Sequence, residues 1–169
     1  MRFRFAHWGA GLLISLAPVA GAGTLYVDDD ASPGGNGGSW ETAFAYLQDA
    51  LAVAASGDEI RVAQGTYFPD RDAEHPTGTG DRATSFVLKD GVALAGGYAG
   101  PGAPEPDARD ISAYETILSG DIGTPVDNSD NSYHVVQGGG AGPTALLDGF
   151  TITAGHVEGA STSDGGGGV

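Results

Sequence analysis

The residues best suited to chemistry in this chain are acidic. Asp127, Ser129 and Asn131 offer side-chain oxygens at alternating positions, with Asp121 and Asp130 close by, which is how a loop surrounds a hard cation such as Ca²⁺. Asp121, Asp127, Asp130 and Asn131 are therefore candidate calcium ligands, and Ca²⁺ is the one cofactor the sequence suggests. The match is partial: Ser132 stands where a loop of that type needs glycine, and no glutamate follows at its twelfth position, so an ordinary turn explains the same residues. Asp107 and Asp110, candidate binding residues in a second acidic stretch, would join the set only if the fold aligns the two loops. Trp40 is a third candidate, able either to stack on a sugar or to pack the chain against the element that follows it. The run Asp28-Asp29-Asp30 imitates a catalytic carboxylate pair, but acid runs at strand ends commonly just face water. His75, His134 and His156 are scattered and form no zinc pattern.

The elements that must position these residues are mostly strands. Between Thr42 and Ala55 the apolar residues Phe44, Leu47 and Leu51, widened by Ala50, Val53 and Ala54, fall on one helical face. The spacing predicts one amphipathic helix, capped by Ser39 or Thr42 and ended by Gly57. From Glu59 the period becomes two, with Ile60 and Val62 on one side of a strand that runs on toward Tyr67. Short apolar strands then recur at Phe86–Leu88, Val92–Leu94, Thr116–Leu118, Tyr133–Gln137 and Ala145–Thr153, after an earlier one at Leu25–Val27. Three polar excursions, 69–84, 96–113 and 119–132, separate them. Strands this brief cannot each bury a face alone, so they must stack. A helix at one end only favours a solenoid whose first turn needs a lid, with mainly β structure beyond it.

Composition narrows the setting. Arg2 and Arg4, the apolar run from Trp8 to Leu16 and the small residues Ala20-Gly21-Ala22 read as an export signal over residues 1–22, too short to span a membrane comfortably. Removing it leaves 5 basic against 22 acidic side chains, 5 − 22 = −17, which disfavours nucleic acid and anionic membranes as partners. The mature chain contains no transmembrane segment by this reading. Thirty glycines, nine prolines and a single lysine exclude a helical bundle, and with no cysteine stability must come from burial and backbone pairing.

The segments DEIRVAQGTY, SFVLKDGVALAGGY, ARDISAYETILSGDI, DNSYHVV and LLDGFTITAG, in that order, resemble the N-terminal part of secreted right-handed parallel β-helix proteins of the pectin-lyase-like superfamily. The resemblance implies that residues 23–169 are the capped start of such a β-helix, incomplete at its C-terminus, with the Gly165–Gly168 run and Val169 opening another turn. It implies location outside the cell or at its surface, and an extracellular polysaccharide or cell-surface component as partner. Enzymes of the superfamily are lyases, with carboxylate-held Ca²⁺ and a basic residue, or hydrolases with paired aspartates. Here Arg61 and Lys89 are the only basic side chains on predicted strands, and the hydrolase signatures Asn-Thr-Asp and Gly-His-Gly are missing. The expected function is accordingly a non-enzymatic scaffold displaying acidic loops for glycan or surface binding, with a polysaccharide lyase or glycoside hydrolase as the alternative. The three excursions would make one acidic rim if they leave the same side of the stack.

Overall fold

The computed structural model describes residues 21–157, so most of the export signal and the closing glycine run lie outside the described residues. Nine short strands and one α-helix follow one another as β1 (Thr24–Val27), α1 (Leu47–Val53), β2 (Glu59–Ala63), β3 (Gly65–Tyr67), β4 (Phe86–Val87), β5 (Ala93–Tyr98), β6 (Thr116–Ser119), β7 (Val136–Gln137), β8 (Leu146–Asp148) and β9 (Thr151–Thr153). They form three sheets, β1-β2-β5-β8, β3-β6-β9 and β4-β7, in which each strand pairing is parallel. From β2 onward the chain visits the first, second and third sheets in turn and then repeats the cycle. Parallel neighbours need a crossover between them. Between β1 and β2 the connection runs through α1, and from β2 onward the other two sheets supply it.

Register explains why such short strands hold together. In the first sheet Leu25 lies beside Ile60, Ile60 beside Leu94 and Leu94 beside Leu147. The second sheet aligns Tyr67, Leu118 and Ile152, and the third aligns Phe86 with Val136. Like side chains thus stack in columns that meet in one interior, where Ile60, Leu94, Leu118, Phe86 and Val136 are almost fully buried. Burying a side chain of this kind contributes about 1.5–3 kcal/mol. The alternate residues Tyr26, Arg61, Ala95 and Asp148 make a second column on the outer face of the first sheet.

The helix is shorter than its apolar spacing predicts. Phe44 is extended: its N–H donates to the Tyr26 carbonyl at 2.9 Å and its carbonyl accepts from Asp28 N–H at 2.9 Å, so it pairs with the free edge of β1. An open strand edge holds unmade backbone hydrogen bonds, and satisfying them outweighs helix propensity at this position. Trp40–Thr42 form a 3-10 turn, and α1 begins after Tyr46 without a side-chain cap from Ser39 or Thr42. It also ends early, at Ala54. There Lys89 Nζ donates to the carbonyls of Leu51 at 2.9 Å and Ala54 at 2.6 Å, neutralising the exposed carbonyl end of the helix. Gly57 instead sits in the following turn and donates to Gly91.

Leu47, Ala50 and Leu51 from α1, with Ala54 at its C-terminal cap, join the same interior as Ile60 and Val62, and the helix touches β1 and β4. It lies over the β1 and β4 side of that interior. At the other end Leu146 is 55% exposed and Leu147 and Ile152 only partly buried. Among the described residues no helix is long and apolar enough to cross a membrane.

Candidate functional site

The sequence-predicted residues fall in three separate places. Trp40 is 6% exposed, its ring edge-on to Tyr26 at 4.8 Å and tilted against Tyr98 at 5.9 Å. Its indole Nε1–H donates to Asp107 at 3.1 Å, and Arg61 pairs with the same Asp107 oxygen at 3.0 Å and with Glu59 at 2.8 Å. Trp40 is thus packing, with no ring face left for a sugar. Asp107 reaches it because residues 99–109 fold back along β5, through an antiparallel bridge between Tyr98 and Arg109. Asp110 accepts the backbone N–H groups of Ser112 and Ala113 and so holds its own turn. Arg61 and Lys89, the two basic residues a lyase reading would recruit, are engaged with this cluster and with the helix end.

The excursions do not share one side. Residues 68–85 and 120–135 both connect the second sheet to the third, and they touch where Tyr133 N–H meets the Arg82 carbonyl at 2.8 Å and Arg82 lies over the Tyr133 ring. Residues 99–115 connect the first sheet to the second. A single acidic rim built from all three is therefore not formed, and Asp107 and Asp110 do not join Asp121, Asp127, Asp130 and Asn131. Those four stay within one loop. Asp121 accepts from Val126 N–H, Asp130 from Thr124 N–H, and Asp127 from both the N–H and hydroxyl of Ser129. Among the described residues no three His, Cys, Asp or Glu side chains converge as a metal cluster.

A hollow with both charged and aromatic walls lies elsewhere, on the helix side. A cavity of about 300 Å³ is bounded by Asp29, Tyr46, Thr66, Tyr67, Phe68 and Arg71, together with residues flanking them. A second hollow of about 270 Å³, bounded by Gly34, Phe44, Asp49 and Ala73, shares Ala45 and Tyr46 with the first. Together they form a groove running across the start of α1. Each wall has a local cause. Tyr46 stands there because the chain leaves its edge pairing at Phe44 and turns into the helix. Thr66 and Tyr67 belong to β3, and Phe68 and Arg71 open the first long excursion.

The polar groups of this groove are only partly engaged. Asp29 accepts the Thr66 N–H at 2.8 Å, and its carboxyl is pushed up, chiefly by loss of water around it and against the pull of that hydrogen bond. Gly65 permits the approach, since it sits at φ +145° and a Cβ there would lie 2.2 Å from an Asp29 oxygen. The Tyr67 hydroxyl donates to the Ala63 carbonyl and accepts from Asp29 N–H, and burial, reinforced by the neighbouring aspartates, raises it well above an ordinary phenol. Arg71 lies over the Phe68 ring at 4.1 Å while its buried Nε has no protein acceptor. Asp28 is 6% exposed rather than solvated, and burial raises its carboxyl despite the Asp30 N–H. Sequence reasoning missed Tyr46, Arg71 and the buried state of Asp28. A donor, an acceptor and aromatic walls in one groove can bind a hydroxyl-rich ligand. No family model, curated protein or solved structure matches the chain, so the reading of this site stands on its geometry.

Proposed function

We propose that this chain is the lidded beginning of an exported right-handed parallel β-helix of the pectin-lyase-like kind, acting as a non-enzymatic scaffold that binds a neutral glycan in the groove beside α1. The cyclic order of three parallel sheets supports the β-helix, and the right hand follows from the handedness of parallel crossovers. The observation that carries the binding reading is the placement of Arg71, whose Nε has no protein acceptor, in the lining of the same hollow as Asp29 and Tyr46. Formal charge selects the ligand class: at −15 for the full chain, a polyanionic glycan would be repelled before reaching a single arginine.

A hydrolase is the second reading, favoured by the adjacent Asp28 and Asp29 with raised carboxyls. Calorimetric titration of the secreted protein with neutral and uronate oligosaccharides, run beside a product assay, separates the two. Binding of the neutral series without turnover is expected. Turnover abolished by Asp28→Asn would install the hydrolase instead, and no binding to any neutral glycan would remove the scaffold reading.

A further inference from the structure

The loop between β6 and β7 contains four buried side-chain oxygens for which the protein offers no donor: Asp121 Oδ1, Asp130 Oδ1, Asn131 Oδ1 and Ser132 Oγ. Asn131 is 2% exposed and Ser132 0%. Buried polar atoms are almost always paired, so four orphans within twelve residues demand an explanation. The loop also closes on itself. Ser132 N–H donates to the Gly120 carbonyl at 2.8 Å, and Gly123 passes so close to Asp130 that a Cβ there would fall 2.3 Å from its carboxylate. The second oxygens of the two aspartates hold this wrap, Asp121 Oδ2 through Val126 N–H at 3.2 Å and Asp130 Oδ2 through Thr124 N–H at 2.7 Å. The Asn131 amide nitrogen donates to Asn128, which leaves its oxygen as the free end. No lysine or arginine lies between Ser119 and Val135. The nearest guanidinium, Arg82, is turned to the carbonyls of Asn131 and His156 and to the Tyr133 ring.

We propose that this loop is a Ca²⁺ site whose side-chain ligands are Asp121, Asp130 and Asn131, completed by Ser132 and loop carbonyls. Two carboxylates, an amide, a hydroxyl and backbone carbonyls are the hard oxygen set that a flexible, high-coordination cation takes, and three aspartates or glutamates are not required for it. Mg²⁺, which holds its water and demands strict octahedral geometry, fits a mixed set of this kind less well. Asp127 is excluded, because it is exposed and one of its oxygens already accepts twice from Ser129. The site is independent of the groove beside α1.

Thermal unfolding of the chelator-treated mature protein against CaCl₂ tests this, with metal alone as the probe. A dissociation constant on the order of 10⁻⁴ M is expected, as in extracellular calcium modules, with a rise in Tm of about 5 °C at saturation and a smaller one with MgCl₂. Asp121→Asn and Asp130→Asn should abolish the rise, and Asp127→Asn should keep it. Protease cleavage between Gly123 and Asn131 reads the same site without a variant, and should be suppressed by Ca²⁺. An unchanged Tm and unchanged cleavage up to about 10 mM Ca²⁺, well beyond that affinity range, would overturn the site. So would a rise that survives intact in both Asp121→Asn and Asp130→Asn.

Discussion

Trp40 with Asp107 on the outer face of the first sheet, and Tyr46 with Arg71 beside α1, combine an aromatic ring with a charge in opposite ways. In the first region every strong group has a partner within the protein: the indole N–H and Arg61 converge on Asp107, and Arg109 pairs with Asp148 at 2.6 Å. In the second Arg71 lines a hollow together with Asp29 and Tyr46, and its Nε has no acceptor within the protein. A closed polar cluster contributes rigidity, whereas an open one leaves hydrogen-bonding capacity for a ligand. The difference lies in what surrounds each ring, since residue type is nearly the same.

Substitutions break the comparison in a definite order. Trp40→Ala removes a buried indole and one of the two donors to Asp107, so chemical denaturation should show a loss of about 3–5 kcal/mol, with glycan affinity unchanged in the fraction that folds. Lys89→Met leaves the carbonyls of Leu51 and Ala54 without their donor, and a loss of about 1.5–3 kcal/mol is expected by the same measurement. Because α1 walls the groove, this variant should also bind more weakly. Arg71→Ala should do the reverse of Trp40→Ala, weakening neutral glycan binding at least about tenfold, or 1.4 kcal/mol, by calorimetry with little change in stability.

The smallest effect sharpens the account of Asp28. A carboxyl whose folded pKa is raised above its unfolded value is penalised when ionised, so it disfavours folding above that raised pKa and ceases to do so once protonated. Asp28→Asn should therefore raise Tm slightly at neutral pH. The advantage should shrink as pH falls through the raised value toward the ordinary carboxylate range. Asp58→Asn should behave oppositely. Its carboxylate is held low, first by the Ala55 N–H and then by the Gly23 N–H, so its contribution is present above the ordinary carboxylate pKa and disappears as pH falls through the lowered one.

Much of the architecture was legible in the sequence because it rests on local alternation. Ile60 and Val62, Thr116–Leu118 and Leu25–Val27 each announce a strand, and the mainly β character with one short helix follows from them. The corner at Gln64 and Gly65 was not legible: β2 and β3 read as a single strand, and only the switch of partners from the first sheet to the second divides them. Phe44 misled for a related reason, since its place on a helical stripe could not show that a strand edge was waiting for it. Asp121, Asp127, Asp130 and Asn131 were visible as an oxygen-rich run, but the run did not show that Asp127 would be exposed while each of the others buries an oxygen without a donor. The groove left no trace in sequence spacing. Asp29, Tyr46 and Arg71 come from a strand end, a helix entry and a loop without period, and tertiary structure alone brings them together.

Nitrogen-15 NMR of the mature protein during titration with a neutral oligosaccharide tests the central claim most directly, because Trp40 and Arg71 each carry a resolvable side-chain N–H. The Arg71 Nε–H resonance should move and the Trp40 indole resonance should stay in place. Movement of Trp40 with Arg71 unaffected would contradict the account, placing the ligand on the outer face of the first sheet.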